Sequence, residues 1–489
     1  MSAFVEDLYR SLLDDHHLSP DCEGDAARGM IAGALSGLRS LSPHGPPAVP
    51  EEIDGASREG IAIAAHDRWS RVKLSEGYKR GAALDLATRV HPDLTPFAEL
   101  DEVGKKRWLA LTGRVLDAVS CHPNSQEEIA RVVHRAPIRA LPSYLEMQRP
   151  KRTGEVRTEG LRADLNELLP HLGDEAWSAF RGRLRPEHLS AYPDIDPIYS
   201  ALARWLGVDR RQLALSSGSD FAIGQVLRVF LEPSDRLLLP VPNYGMYSVY
   251  AQMCGAETIE FPCEPDFSLN VNRFIGTMEH RRPKIAVVAQ PNGATGFALA
   301  DDDVRRIVVA AEAQGTLVIL DEAHVGFHAD GWLARLPDHE NLVLLRTFSK
   351  SGGLAGARFG FTISSLWIRE LIDRARPAAE IGSVTALAVQ VLLERPELMV
   401  ASAKAVLAGK QWLADALERR GVTVFRGRGN FIQVLAKGKS PAVVETLKAR
   451  GIRVRDQSGS AVLADWIRVT CGPPDLMAPV LTALEEVLP

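Results

Sequence analysis

The stretch RTFSKSGGLAGARFG, residues 346–360, decides how the rest of the sequence is interpreted. It places one lysine, Lys350, in a turn rich in glycine and serine, shortly after the apolar run NLVLL at 341–345. Such a run is typical of a buried strand, and a charged amine at the end of a buried strand needs a chemical reason to be there. Lys350 is therefore the first candidate catalytic residue.

Other short apolar runs resemble the one before Lys350 and alternate with helical patterns. The runs are LLLPVP (237–242), KIAVVAQ (284–290) and TLVILDEA (316–323), and DDDVRRIVVAAEAQG (301–315) has the spacing of an amphipathic helix. This alternation predicts an α/β fold with a mostly parallel sheet covered by helices.

The composition and the spacing of apolar residues change along the chain and predict several domains. Residues 40–58 concentrate proline, glycine and serine and indicate a linker or irregular loop. The predicted parts are a helical N-terminal domain (1–140), a connecting arm with a substrate loop (141–185), a large domain (186–372) and a smaller α+β domain (373–489).

Composition narrows the class of protein. The chain has 489 residues, a formal net charge of −5 and no apolar run near the ~18 residues that a membrane helix needs. Its start lacks the basic and then apolar order of a secretory signal. Five cysteines without a C-x-x-C pair indicate neither a disulfide framework nor a zinc site. We expect a soluble cytoplasmic protein that binds small molecules, with no nucleic acid, membrane or metal partner.

Four features point to one ligand. Asp321 directly follows the run TLVIL, and SSGSDFAIG (216–224) places glycine and hydroxyl residues at the start of a helix that could take a phosphate. An aromatic turn, YGMY (244–247), and Lys350 complete the set. Singly, the acid and the helix start are also compatible with a helix cap or a plain turn. Together they predict a site for pyridoxal 5′-phosphate, which uses a lysine, an acid at its ring nitrogen and a phosphate cup.

From about residue 160 to its end, the sequence resembles the fold-type I, class I/II aminotransferases, and especially histidinol-phosphate aminotransferase. Ten stretches carry the resemblance, in the family's order: LNELLP (165–170), LSAYPDIDPIYSALARWLGV (189–208), SSGSDFAI (216–223), VPNYGMYSVYAQMCGAE (241–257), QPNGATG (290–296), VILDEAHVGF (318–327), TFSKSGGLAGARFGF (347–361), GNFIQV (429–434), GIRVRD (451–456) and WIRVTCG (466–472).

The resemblance implies a role for each matching residue. Lys350 would form the Schiff base and shuttle the proton, Asp321 would pair with the pyridine nitrogen, and Tyr244 would stack on the ring. Arg468 would bind the substrate carboxylate by a bidentate pair, and Asn166 in the loop LNELLP would contact the substrate. The residues implied at the phosphate are Gly218, Ser219, Asp220, Thr347, Ser349 and Arg358. Tyr192 matches a tyrosine that reaches the phosphate of the neighbouring subunit, which implies a homodimer with shared active sites.

Two departures from the family pattern fall at the cofactor. Gly293 stands where the family has an asparagine before P-T-G, with Asn292 one position earlier, and His324 replaces a tyrosine in D-E-A-Y. We count Asn292 and His324 among the expected cofactor contacts. Either His324 donates in the tyrosine's place, or the changed environment of the ring oxygen redirects the chemistry away from transamination. LNELLP also replaces N-E-N-P, which leaves the substrate open.

The N-terminal domain resembles the RyR domain, a small helical module. The resemblance rests on H-D-x-W and the E-G turn within 61–81 and on P-x-L-x-P-F-x-x-L within 91–108. It implies either a site for the adenine nucleotide portion of a substrate or a structural extension at a dimer interface.

These features support a leading function and several alternatives. The first is transamination between an amino acid and a keto acid. The second is γ-elimination with carbon–carbon bond formation on S-adenosylmethionine, using a second nucleotide-type substrate such as NAD. DEAH at 321–324 imitates a helicase box, but the GKS at 438–440 lacks the leading glycine of a P-loop. A catalytically dead regulator would need a basic recognition helix, which the N-terminal segment does not show.

Overall fold

The structure is a computed structural model that divides into two compact units, residues 1–140 and 141–489. It describes residues 97–121, 160–170, 173–328, 331–377 and 379–488, residue 141, and scattered positions between 30 and 91. The expected linker at 40–58 and Cys22 lie outside the described residues. The finer boundaries at 185 and 372 stay a prediction.

In the first unit, three described residues from the RyR-like stretches, His66, Trp69 and Trp108, pack together. Helix α1 spans Glu102–Cys121 and follows a single 3₁₀ turn, Phe97–Glu99. The ring of Trp108 on α1 lies 4.9 Å from His66 and 5.3 Å from Trp69, between ring centroids. All three side chains are buried, so the H-D-x-W motif contributes to an aromatic core. Strands β1 (Lys79–Arg80) and β2 (Val90–His91) form a short parallel pair.

The second unit is built on a seven-stranded sheet. Its strands are β4 (Leu213–Ser216), β5 (Arg236–Val241), β6 (Glu257–Pro262), β7 (Ile285–Ala289), β8 (Leu317–Asp321), β9 (Leu342–Thr347) and β10 (Gly360–Ser364). Their order is β4-β10-β9-β8-β7-β5-β6. Every neighbouring pair is parallel except those of β10, which runs antiparallel to β4 and β9. The expectation of a mostly parallel α/β sheet is confirmed.

Helices accompany this sheet, and its strands are mostly buried except for the edge strand β6, as the continuous apolar runs require. The helices are α2 (Gly173–Arg183), α3 (Glu187–Ser190), α4 (Asp196–Leu206), α5 (Gly218–Phe230), α6 (Met246–Cys254), α7 (Val271–Arg281), α8 (Asp301–Glu312), α9 (Leu366–Arg374) and α10 (Ser383–Leu393). Leu320 and Leu344 point into one core, whereas Ile319 and Val343 point into the other.

A second sheet forms the smaller C-terminal part. Its order is β11-β12-β14-β13-β3, and helices α11 (Glu397–Glu418), α12 (Ser440–Ala449) and α13 (Pro474–Glu485) accompany it. The strands are β3 (Leu161–Ala163), β11 (Val424–Phe425), β12 (Phe431–Leu435), β13 (Ile452–Asp456) and β14 (Trp466–Thr470). Strand β3 comes from the predicted connecting arm and pairs in parallel with β13. Residues 161–163 of the arm are therefore part of this sheet, which the sequence did not indicate.

Strand register collects the candidate residues at one edge of the large sheet. Asp321, the last residue of β8, pairs with Leu345 of β9 and with Ala289 of β7. Lys350 follows the end of β9 by three residues, and Asn292 follows the end of β7 by three. Because parallel strands present their carboxyl ends at the same edge, these side chains come close together.

Two smaller findings concern the surface and the cysteines. Among the described residues, no helix is long and apolar enough to cross a membrane. Cys254, Cys263 and Cys471 are free thiols. The side chain of Cys121 lies outside the described part.

A buried ion pair joins the ends of β8 and β9. Arg346 Nε donates to Glu322 Oε2 at 2.8 Å, and the two side chains are 7% and 0% exposed. The other carboxylate oxygen of Glu322 accepts from the backbone N–H of Trp332 at 2.5 Å. Since Glu322 follows Asp321 and Arg346 precedes Thr347, this pair fixes the two strand ends that carry the candidate site.

We expect Glu322→Ala to lower the free energy of unfolding by about 3–5 kcal/mol, because it leaves the Arg346 guanidinium buried without its carboxylate. Urea unfolding followed by tryptophan fluorescence measures the change. Asp302→Ala is the control, since it breaks an exposed pair with Arg305 at 2.9 Å and should cost at most about 1 kcal/mol. Equal losses in the two variants would contradict the assigned role of the buried pair.

Candidate active site

The carboxylate of Asp321 is buried and held from two sides. The residue is 8% exposed, Oδ2 accepts from the Tyr247 hydroxyl at 2.9 Å, and Oδ1 accepts from the Ala323 N–H at 3.0 Å. Burial raises the pKa of Asp321 above its usual value, and the two hydrogen bonds oppose that rise. A nearby cation would be stabilised by this fixed acid.

Lys350 lies in the same cluster. Its Nζ donates to the carbonyl of Leu165 at 2.9 Å. Burial, together with the nearby positive charge of Arg468, lowers the pKa of Lys350 to about 8, and Asp321 acts in the opposite direction. An amine with this pKa is substantially unprotonated near pH 8, which is the form that reacts with a carbonyl group.

The start of α5 forms a cradle for an anion. Gly218 has φ +84° and a Cβ there would lie 2.6 Å from Arg358 Nη2; a Cβ on Gly360 would lie 2.3 Å from the backbone nitrogen of Ser219. Within the described residues, no side chain caps this helix. Its first N–H groups and the guanidinium of Arg358 therefore offer the donors and positive charge that a phosphate needs.

Two hydroxyls shape the turn that carries Lys350. Thr347 Oγ1 donates to the carbonyl of Phe359 at 2.7 Å and accepts from the backbone N–H of Ser349 at 3.0 Å. The hydroxyl oxygens of Thr347 and Ser349 lie 2.9 Å apart, and both residues are buried. The turn is thus held by its own polar side chains.

Two tyrosines bind the acid in the first turn of α5. The hydroxyl of Tyr244 donates to Asp220 Oδ1 at 3.1 Å, and that of Tyr250 donates to Oδ2 at 3.4 Å. Tyr244 is 45% exposed. Its ring therefore stands at the start of α5, beside the anion cradle.

Asn292 is engaged with backbone groups. Its Nδ2 donates to Pro242 O at 3.1 Å, and its Oδ1 accepts from the N–H groups of Ala294 and Thr295 at 2.8 and 3.0 Å. The carboxamide stabilises the turn after β7. A contact with a cofactor would compete with these bonds.

The two candidate substrate residues meet at one carbonyl. Gly293 O accepts from Arg468 Nη1 at 2.9 Å and from Asn166 Nδ2 at 3.1 Å. Asn166 is buried and has φ +54°, a left-handed conformation that asparagine tolerates better than most residues. The Arg468 guanidinium lies 5.3 Å over the Phe431 ring, and burial lowers its pKa to about 9.

His324 is a buried imidazole in the same group. It is 4% exposed, and its ring packs edge-on against Phe431 with 5.8 Å between centroids. Burial lowers the pKa of His324 well below its usual value, and the positive charge of Lys350 adds to this effect. The imidazole is therefore neutral at physiological pH.

The structure brings most of the expected residues together but places one elsewhere. Tyr192 is 92% exposed on the surface. Sequence reasoning missed Tyr247, which is fully buried and bonds to Asp321. The YGMY stretch contains both tyrosines, of which Tyr247 lies on the first turn of α6 and Tyr244 precedes that helix, so the sequence indicated the stretch without distinguishing the two rings. It also missed the Gly293 carbonyl, which no side-chain pattern can reveal.

Comparison with known proteins agrees with this geometry. The family model "Aminotransferase class I and II" matches residues 166–484, and the model "RyR domain" matches residues 49–120. Both matches confirm the resemblances seen in the sequence.

Individual relatives match over most of their length. Histidinol-phosphate aminotransferase 2 of Bordetella bronchiseptica is 33% identical over 74% of this chain and 98% of its own. Histidinol-phosphate aminotransferase 2 of Burkholderia pseudomallei is 31% identical over 67% of this chain and 88% of its own. A crystal structure of histidinol-phosphate aminotransferase from Sinorhizobium meliloti in complex with pyridoxal-5′-phosphate has a TM-score of 0.62 and 24% identity, over 68% and 91% of the two chains. The chain belongs to the aminotransferase class I and II family.

Proposed function

We propose that this chain is a pyridoxal 5′-phosphate-dependent aminotransferase that moves an amino group between an amino acid and a keto acid. Family membership makes it a transferase with this cofactor. The observation that supports the reaction best is that Lys350 and Asp321 lie at one edge of the sheet, close enough for the charge of each to affect the pKa of the other. The cofactor supplies an aldehyde for an amine and a ring that withdraws electrons from the α-carbon of an amino acid.

The described residues fit this cofactor. The cradle at Gly218, which a Cβ would fill, suits the phosphate, and the buried Asp321 suits a protonated ring nitrogen. Lys350 would hold the aldehyde end, and Tyr244 would cover the ring. The remaining groups proposed to hold the phosphate are Ser219, Asp220, Thr347, Ser349 and Arg358.

Lys350 would also handle the proton of the substrate. With a pKa of about 8, its Nζ can take a proton from the α-carbon and release it again near neutral pH. The Leu165 carbonyl accepts a hydrogen bond from Nζ at 2.9 Å and would orient the amine before the substrate binds.

Arg468 and Asn166 would bind the substrate carboxylate. Arg468 now donates to the carbonyls of Gly293 and Asp164, at 2.9 and 3.1 Å. A carboxylate would replace these neutral acceptors with a stronger charge-assisted pair. Histidinol phosphate, the compound in the names of the relatives, carries a phosphate instead of a carboxylate, and the Arg468 guanidinium would pair with either anion.

A homodimer would complete the site. Tyr192 and Leu189 are 92% and 84% exposed, and Tyr192 lines a surface groove of about 220 Å³ together with Ser383 and Gln390. Two exposed apolar side chains close together in the sequence offer a surface that a second subunit can cover. We propose that Tyr192 reaches the phosphate of the neighbouring subunit.

A second candidate reaction is favoured by the neutral, buried His324 beside Gly293. This environment differs from the asparagine and tyrosine pattern of the family and could direct the same cofactor toward elimination and carbon–carbon bond formation. S-adenosylmethionine would be the amino-acid substrate, with a nucleotide such as NAD as the second.

The cofactor should be attached to the protein through Lys350. Borohydride reduction of the holoprotein and peptide mass mapping should place the cofactor on Lys350, and Lys350→Ala should lose this covalent label. Lys410 is a matched internal control, because burial also lowers its pKa to about 8 but its Nζ donates to Gly427 O and Gly429 O. Label on Lys410, or label that persists in the variant, would show that the lysine is wrongly assigned.

The hydroxyl of Tyr247 should stabilise the buried carboxylate of Asp321. Tyr247→Phe should destabilise the apoprotein by about 1–3 kcal/mol and raise the pKa of Asp321 further, because a buried carboxylate oxygen loses its hydroxyl donor. Urea unfolding measures the stability. Tyr250→Phe is the control, since it removes a longer, part-buried bond of 3.4 Å to Asp220. A loss of stability in Tyr250→Phe as large as that in Tyr247→Phe would contradict the role assigned to Tyr247.

The products that the holoprotein forms should distinguish the two candidate reactions. Purified holoprotein is incubated with 2-oxoglutarate and a panel of amino donors that includes histidinol phosphate and S-adenosylmethionine, and mass spectrometry identifies the products. Oxo products that disappear in Lys350→Ala support transamination. Release of methylthioadenosine without an oxo product supports the second candidate and rejects the first.

A further inference from the structure

The imidazole of His324 lies between two glycines from distant parts of the chain. A Cβ on Gly293 would lie 3.0 Å from His324 Nε2, and a Cβ on Gly429 would lie 3.4 Å from Nδ1. Neither glycine has a positive φ, so neither is required by its backbone conformation. What the imidazole needs from them is space, since a Cβ at position 293, 3.0 Å away, would require the imidazole to move by a few tenths of an ångström.

The far wall of this slot is held in place. Lys410 Nζ donates to Gly429 O at 2.7 Å and to Gly427 O at 3.0 Å. The Phe431 ring closes the slot beside the imidazole, 5.8 Å away between centroids, and would lie 2.6 Å from a Cβ on Gly429. The imidazole therefore has little freedom to move if position 293 is enlarged.

The near wall of the slot is joined to the proposed substrate site. Gly293 presents its α-carbon toward His324 and its carbonyl toward Arg468 and Asn166. Phe431 makes a second link, because it contacts both His324 and the Arg468 guanidinium. The imidazole therefore contacts two groups, Gly293 and Phe431, that each contact the arginine.

The surroundings of the ring decide what it can do. Burial and the positive charges of Lys350, Arg468 and Lys410 keep the pKa of His324 low, and Asn430 acts in the opposite direction. A neutral imidazole has one N–H donor and one nitrogen acceptor. It can give or accept a hydrogen bond beside Lys350 without adding a fourth positive charge.

We propose that Gly293 is a positioning residue for His324, and that the imidazole in this slot supplies a hydrogen-bonding edge to the bound cofactor and amino-acid substrate. This inference rests on the proposed function for the identity of the bound molecules. It adds a residue, Gly293, whose missing side chain leaves room for the imidazole beside Lys350.

The test is a double-mutant cycle of Gly293→Ala, His324→Ala and the double variant. In the apoprotein, Gly293→Ala should lower the thermal midpoint by about 2–6 °C, because the added methyl group overpacks the slot. In the His324→Ala background the same change should shift it by less than about 1 °C. Gly276→Ala is the control, since that helical glycine has open space around it and should give an unchanged or higher midpoint.

A spectroscopic measurement tests the hydrogen-bonding role, which packing alone would not affect. The pH midpoint of the bound cofactor's absorbance should shift by about 0.5 unit or more in Gly293→Ala and in His324→Ala, with no further shift in the double variant. Additive effects of the two substitutions in either measurement would contradict the proposal that Gly293 acts by positioning His324. An unchanged midpoint in His324→Ala would overturn the hydrogen-bonding role. If the wild-type protein binds no cofactor through Lys350, the proposed function fails, while the apoprotein cycle still reports on the slot.

Discussion

The parallel pairing of β8 with β9 is the constraint on which the site depends. It places the carboxylate of Asp321 and the amine of Lys350 at one edge of the sheet, where each charge influences the pKa of the other. The adjacent Glu322 and Arg346 form a fully buried ion pair across the same two strands. Breaking that pair would leave a charge inside the protein, so the register cannot slip without a large cost.

The site uses burial to set the charge of each group. Among its cationic groups, Lys350 and Arg468 have lowered pKa values, and His324 is kept neutral. Three full positive charges in one buried cluster would repel one another, and this arrangement reduces the repulsion before any ligand binds. An incoming carboxylate or phosphate would reverse the balance, because its negative charge favours the protonated forms.

Sequence reasoning located the parts of the site that follow strands but not those that depend on packing. Lys350 and Asp321 could be found because continuous apolar runs precede them. Tyr247 could not be chosen over Tyr244, since both rings occur in one turn and only the fold shows which hydroxyl reaches Asp321. Strand β3 is three residues long with a charged centre, so its pairing with β13 leaves no periodic signal.

Two lysines with lowered pKa values show why desolvation by itself does not make a reactive amine. Lys350 and Lys410 both have a pKa of about 8 because burial disfavours their charged forms. Lys410 donates to two carbonyls and thereby holds the 427–429 loop. Among the described residues, Lys350 Nζ bonds to a single carbonyl and stands beside an acid and an anion cradle. A lowered pKa therefore accompanies a structural role at Lys410 and the proposed chemical role at Lys350. The groups around each amine determine the difference.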